Sequence, residues 1–415
     1  MKRTWPVLLA WLLLVQPAAV QAQYGYSTNG DGSIYAYSTN ADGSVTIVAY
    51  TGPPWVVAIP SHINSLTVTA IGDGQDVVFP ANLTGVTIPG TVTSIADYAF
   101  SGTALAAVTI PGSVASIGDY AFDSCSSLAA ATISNGVAGI GDYAFCQSGL
   151  AGVTIPGSVV SIGNYALYDT SLTNATIQSG VASIGQSAFS LCETLPSITI
   201  PGSVTNIGQH AFDSCVKLTN AILGNGVAVI GGDAFYKCFS LAAVTIPRSV
   251  VSIGSDAFYD TSLAAVTIPA GVTNLGSYAF AQCSALAAVF FAGNAPAADL
   301  TVFSTNSLAG NGYENATAYY LPGKTGWSNT FAGLTTVLWN PLIQTGDGNF
   351  GARAGQFGFD ITGTANIPIV VEACANLATP VWTPLQSLTL TNGLFYFSEP
   401  MQTSIPARFY RIGSQ

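Results

Sequence analysis

The sequence predicts a repeat solenoid, mainly β with short helical turns and a parallel sheet on one face, followed by a small all-β sandwich-like domain. Three observations predict this. Leucines recur every 22 or 23 residues from Leu83 to Leu286. Each is followed by a short alternating run of the Val-Thr-Ile type, and most repeats close on an Ala-Phe pair. After Trp339 the rhythm stops, and short strand-like runs between turn residues take over. A period of this length means one supersecondary unit per repeat, which must stack on its neighbours to bury its apolar edge.

Residues 1–22 read as a cleaved signal peptide. Lys2 and Arg3 give the positive start, Val7 to Val15 the short apolar core, and Val20-Gln21-Ala22 the cleavage site. The mature chain is then expected to begin at Gln23. Residues 23–55 read as an N-terminal β-hairpin cap, because Ser33 to Tyr50 alternates around the turn signal Asn40-Ala41-Asp42-Gly43.

The solenoid is expected over 56–339, with irregular last coils from about residue 290. Its leucines are Leu83, Leu105, Leu128, Leu150, Leu172, Leu195, Leu218, Leu241, Leu263 and Leu286. In Val108-Thr109-Ile110, strand alternation turns Val108 and Ile110 inward and Thr109 outward. Val114 and Ile117 fill the far side of the coil, and Gly118 turns the chain. Asp119 is expected to cap a one-turn helix carrying Tyr120, Ala121 and Phe122. Asp97, Asp142, Asn164, Gln186 and Gln209 share that slot. The exchange of Asp for Asn and Gln favours capping over a calcium-binding acidic ladder. The Ala-Phe pairs end at Phe100, Phe122, Phe145, Phe189, Phe212, Phe235, Phe258 and Phe280, with Leu167 substituting once.

The repeated pattern Leu-x-x-Val-Thr-Ile-Pro-Gly-Ser-Val-x-Ser-Ile-Gly-Asp-Tyr-Ala-Phe-x-x-Cys resembles the BspA-like class of bacterial leucine-rich repeats. The likeness covers about two thirds of the chain. It implies a secreted or surface protein that adheres to proteins or cells. Phe291 to Pro296, Ala318 to Gly323 and Gly326-Trp327 resemble the irregular last coils of such arrays.

Residues 340–415 hold strand-like runs at 357–362, 367–373, 387–391, 394–398 and 408–412. They suggest a small β-sandwich like the modules that close many modular secreted bacterial proteins. The likeness assigns no activity; anchoring, sorting and packing all fit.

Composition excludes several functions. Charged residues are 7% of the chain, the net charge is −11, and no Lys or Arg lies between Gln23 and Val216. Nucleic-acid binding needs basic side chains to displace counterions, so it is set aside. A polybasic grip on anionic lipid fails for the same reason. No transmembrane segment is expected after the leader.

Little supports catalysis. His62 and His210 lie in different coils, and no Ser-His-Asp or Cys-His arrangement can be assembled. His62 reads as a surface residue, and His210 takes the Tyr position of its coil. Asp347-Gly348-Asn349 lacks the downstream acidic partner of a calcium loop. Cys125, Cys192, Cys215, Cys238 and Cys283 follow their aromatic residues by three positions; Cys146 and Cys374 fall elsewhere. Their spacing is wrong for zinc, and stacked side chains point the same way, so a buried thiol ladder is preferred to disulfides. Lys217, Lys237 and Arg248 read as solvated cations. No cofactor or metal is expected.

The candidate binding face is the outward column Thr87, Thr109, Thr132, Thr154, Thr176, Thr199, Thr245 and Thr267, broken by Ile222. Beside it runs a second column of Gly, Ala, Asn and Ser, from Gly85 to Ala265. Both are small and uncharged. The expected function is extracellular binding or adhesion, toward a protein or glycan. A structural envelope spacer is the alternative. A polysaccharide-active β-solenoid enzyme and an ice-binding Thr array rank below it.

Overall fold

A computed structural model describes residues 24–30, 32–53, 56–305, 315–401 and 407–413. The leader expected over 1–22 lies outside the described residues. The chain forms a parallel-sheet β-solenoid followed by an antiparallel β region, and its contacts divide it into two compact units, 1–181 and 182–415.

The first unit opens with three antiparallel strands, Gly25–Thr28, Ile34–Thr39 and Val45–Thr51. The turn between the last two holds Gly43 at φ 84°, and the Asp42 carboxylate accepts from the backbone N–H of Ser44 at 2.9 Å. Val45–Thr51 then pairs in parallel with Leu66–Ile71, which passes the chain into the coils.

Each coil contributes two strands. The longer ones, Ala107–Ile110, Ala130–Ile133, Gly152–Ile155 and Asn174–Ile177, pair in parallel without a register shift. The two-residue strands Ser94–Ile95, Ser116–Ile117, Gly139–Ile140 and Ser161–Ile162 build a second parallel ladder. Val108 and Ile110 are buried while Ala107 and Thr109 are exposed, which is the expected alternation. The interior is a set of columns. Phe79, Phe100, Phe122 and Phe145 stack with centroids 4.8, 5.1 and 5.2 Å apart and planes within 4°. Offset stacking of this kind adds about 0.5–1.5 kcal/mol per pair beyond area burial. Phe79, from the imperfect first copy, joins a column whose sequence signature starts only at Phe100.

The turn before each Phe differs from expectation. No helix forms among the described residues. Tyr120 instead adopts a left-handed backbone, φ 55°, as do Tyr98, Tyr143 and Tyr165. Left-handed residues at intervals turn the peptide groups along the solenoid axis. The N–H groups of Tyr120, Phe122 and Ser124 accordingly donate to the carbonyls of Asp142, Ala144 and Cys146 in the next coil. Asp119 therefore caps no helix. Its carboxylate accepts from the backbone N–H of Asp142 at 2.7 Å, one coil on. Asp97 does the same for Asp119 at 2.8 Å, and Asp142 for Asn164 at 2.7 Å. The glycine before this slot is obligatory at Gly118, because a Cβ there would lie 2.5 Å from the backbone carbon of Ala96.

The second unit repeats the plan. Ser197–Ile200, Asn220–Leu223 and Ala243–Thr245 form one parallel ladder, and Ala265–Ile268, Ala288–Phe291, Thr317–Tyr320 and Leu334–Leu338 another. Phe189, Phe212, Phe235, Phe258, Phe280 and Phe303 stack at 5.1–5.8 Å. The seven cysteines are buried and form no disulfide. Cys215 and Cys238 donate to the Phe189 and Phe212 carbonyls at 3.2 and 3.1 Å. The column is thus a donor column, and Thr261 occupies an equivalent position, donating to Phe258 at 3.1 Å.

The unit ends in two antiparallel sheets. Gln356–Thr362 pairs with Leu342–Ile343, Gly351–Arg353 and Leu394–Pro400; Ile367–Cys374 pairs with Thr383–Leu390 and Phe409–Gly413. Their shared core holds Phe359, Ile361, Ile369, Val371 and Phe397. Phe290 and Tyr319 from the last coils belong to the same core, and Trp339 Nε1 donates to the Pro368 carbonyl at 2.8 Å. The antiparallel region is therefore packed onto the outward side of the last coils.

Candidate binding face

Strand alternation and in-register stacking position the threonine rows. Thr87, Thr109, Thr132, Thr154 and Thr176 are exposed in the first unit, and Thr199, Thr245 and Thr267 in the second. Thr109, Thr132, Thr154 and Thr176 are consecutive rungs of one ladder. Strand neighbours lie about 4.8 Å apart, so the hydroxyls form a regular row. In the second unit Ile222, 43% exposed, stands between Thr199 and Thr245. The rung after Thr267 is Phe290 and the next is Tyr319, both covered by the antiparallel region. The threonine row thus ends where that region begins.

At this ending lies a cleft of about 240 Å³, lined among others by Thr267, Phe290, Tyr319, Tyr320, Trp339 and Arg411. Burial pushes the Tyr319 hydroxyl pKa up, against a hydrogen bond with Thr317 that lowers it. Arg411 is held at the rim: its Nε donates to Glu372 at 2.6 Å and its guanidinium lies 4.4 Å from the Trp382 ring centroid. Nearby, Glu399 takes a two-point contact from Arg408, at 2.5 and 2.9 Å, and a 2.6 Å bond from Tyr410. Burial, then the Glu399 carboxylate, pushes the Tyr410 hydroxyl up to about 12.

The groups weighed for chemistry stay apart. His62 is exposed beside Ser61. His210 has Asp213 at 3.4 Å and Asp233 at 3.7 Å but no nucleophile in that set. Asp347 accepts from the N–H of Asn349 within its own turn. Lys217 and Arg248 are exposed; Lys237 lies over the Tyr236 ring, 5.1 Å from its centroid. Burial pushes the thiol of Cys146 up to about 12 and that of Cys215 well above its ordinary value, so neither is a ready thiolate. Among the described residues, no three His, Cys, Asp or Glu side chains gather in a way that could hold a metal ion, and no helix is long and apolar enough to cross a membrane.

Two surface features escape the sequence pattern. The aromatic ending at Phe290 and Tyr319 reads as an ordinary strand until the antiparallel region covers it. The second is a column of tyrosines in the first unit. Its signal was present in the recurring Asp-Tyr-Ala-Phe, but a helical reading of that segment hides the stacking.

Among solved structures, a leucine-rich repeat protein from Bacteroides ovatus is 23% identical, with a TM-score of 0.52 over 78% of this chain and 76% of its own. That likeness supports the fold. A leucine-rich cell surface protein from Faecalibacterium prausnitzii is 26% identical, with a TM-score of 0.36 over 70% of this chain and 98% of its own. No curated protein matches the chain. The model of the BspA type leucine-rich repeat region, which holds 6 copies, matches residues 78–170 and 160–287. Those residues are the coils whose Leu, Phe and Thr columns are described above, and the chain belongs to the BspA type leucine-rich repeat family.

Proposed function

We propose that this chain is an extracellular, non-catalytic binding or adhesion protein that offers its outward threonine rows to a protein or polysaccharide. The observation that carries this reading is the exposure of all eight threonines in columns of small, uncharged neighbours. Such a face holds none of the aromatic or Arg anchors that dominate tight, specific interfaces. It suits many weak, repeated contacts with a repetitive partner, where linkage multiplies affinity without new contacts. The leader read over 1–22 and the family's resemblance to surface proteins support an extracellular place.

The test is a binding screen of the full chain against glycan and matrix-protein arrays, beside a variant carrying Thr109→Lys, Thr132→Lys and Thr154→Lys. Exposed positions accept lysine with stability changes near 0.5 kcal/mol each. The reading expects a hit that the variant loses by about tenfold or more. A hit of equal strength in both proteins sinks it. Uniformity of the face also favours the second reading, a structural spacer. Deleting two coils, 105–149, separates the two: a spacer keeps its role, while a binding face loses avidity.

A further inference from the structure

A second surface, away from the threonine rows, runs along the first unit. Tyr98, Tyr120, Tyr143 and Tyr165 stack ring on ring with centroids 4.9, 4.6 and 4.6 Å apart and planes within 8°. Tyr98 is 38% exposed and the other three are half-buried. Alongside run Asp97, Asp119 and Asp142; the first two each give one carboxylate oxygen to the next coil, and Asp142 gives both, to the backbone N–H and the side-chain amide of Asn164. Burial raises the Tyr120 hydroxyl pKa, the neighbouring tyrosines add to it, and the carboxylates Asp123 and Asp119, also among the causes, supply negative charge beside the ring.

Among the described residues of this unit no Lys or Arg answers that charge. Residues 24–181 contain no Lys and no Arg, and their one histidine, His62, lies in the first coil. The second unit shows what a tyrosine stack on these coils accepts. There Tyr236 stacks on Tyr259 at 5.0 Å, and the Lys237 ammonium lies 5.1 Å from the Tyr236 centroid. In that unit the chain supplies its own cation.

From this we infer that the Tyr98–Tyr120–Tyr143–Tyr165 ladder is a docking surface for a lysine- or arginine-rich extended segment of a partner protein. The phenol oxygens and the carboxylates are acceptors, and a cationic side chain brings donors and the missing charge. Cation–π contact at exposed rings adds about 0.5–1 kcal/mol each. The rings are already held by stacking, so little side-chain entropy is lost on binding. An anionic polymer is repelled. A neutral glycan can donate hydroxyls to the carboxylates but brings no charge to answer them.

The test uses the full chain and two probes, labelled decalysine and a neutral cello-oligosaccharide. Variants are chosen from residues this fold already holds in the same slots. Ser187 takes the Tyr position at φ 52°, and Asn164 takes the Asp position. Tyr120→Ser with Tyr143→Ser, and separately Asp119→Asn with Asp142→Asn, are expected to weaken decalysine about tenfold. Asp42→Asn with Asp76→Asn removes the same charge elsewhere in the unit and is expected to change affinity less than about twofold. Thr109→Ala with Thr132→Ala tests the other face and is expected to leave decalysine binding unchanged, so a failed threonine face and a failed ladder read out separately. Equal weakening by the Asp42/Asp76 pair overturns the inference in favour of diffuse charge. Decalysine binding that ignores the ladder variants overturns it, as does ladder-dependent binding of the neutral oligosaccharide.

Discussion

The two units have the same kind of interior and differ in one exterior slot. In both, a phenylalanine column runs through the coils at spacings near 5 Å. Outside, the first unit repeats Asp-Tyr at 97–98, 119–120 and 142–143, then Asn-Tyr at 164–165. The second unit reads Gln-Ser at 186–187, Gln-His at 209–210, Gly-Asp at 232–233, Ser-Asp at 255–256 and Ser-Tyr at 277–278. The backbone is the same: Ser187, His210, Asp233 and Asp256 keep φ between 52° and 56°. The interior is therefore fixed by packing, since every ring must match the ring above and below. The left-handed slot is fixed by inter-coil backbone hydrogen bonds, and it holds Tyr, Ser, His and Asp alike. Its side chain is free to carry a surface property: the first unit uses tyrosine in four successive coils, and the second uses it only at Tyr278, in the last of its five.

The largest effect should be the one the units share. Phe122 and Phe212 are fully buried between stacked rings. Phe122→Ala and Phe212→Ala are each expected to cost about 3–5 kcal/mol, as large-to-small changes in closed cores do. Denaturant unfolding of both variants checks this. A cost below about 1 kcal/mol in either unit would break the claim that the column carries both.

A smaller effect should separate them. Asp119→Ala removes the acceptor for the Asp142 N–H, a charge-assisted bond at 2.7 Å. The loss is expected to be about 1 kcal/mol, because the site is exposed and water replaces part of the bond. Asp119→Asn keeps an acceptor oxygen and should cost a few tenths at most. In the second unit Gln209 occupies this slot with a neutral amide that lies beside Gly232 and hydrogen-bonds to the Asp233 side chain, so Gln209→Ala removes no charged acceptor of a backbone N–H and should cost less than Asp119→Ala. If the two alanine variants cost the same, the carboxylate chain contributes nothing particular to the first unit.

How much of this was legible follows from the same contrast. The leucine and phenylalanine columns could be read because each repeat carries the same residue in the same place. The threonine rows followed from alternation within Val108-Thr109-Ile110. The left-handed turns could not be read. Asp119-Tyr120-Ala121-Phe122 has the local look of a capped helical turn, and the bonds that favour the other conformation exist only once coils stack. Phe79 and Phe303 were missed because their flanking residues depart from the repeat. Phe290 and Tyr319 gave no warning that a distant region would cover them.

The smallest effect belongs to the option taken by the second unit. Burial raises the Asp233 pKa above the ordinary carboxylate value; the nearby His210 lowers it and Asp213 raises it. Burial, then Asp233, raises Asp256. A carboxyl whose folded pKa exceeds its unfolded one binds more protons when folded. Its contribution is fully present below the unfolded value and is lost as pH rises through the raised one. At pH 8 the ionised Asp233 therefore opposes folding, and Asp233→Asn should stabilise the unit, by less than about 0.5 kcal/mol after solvent screening. As pH falls toward 4 the advantage should shrink. The aspartate becomes protonated, so its charge no longer opposes folding. Thermal melts of both proteins between pH 4 and pH 8 measure the difference. An Asn advantage that persists unchanged to pH 4 would mean that the ionised carboxylate is not what opposes folding at this slot.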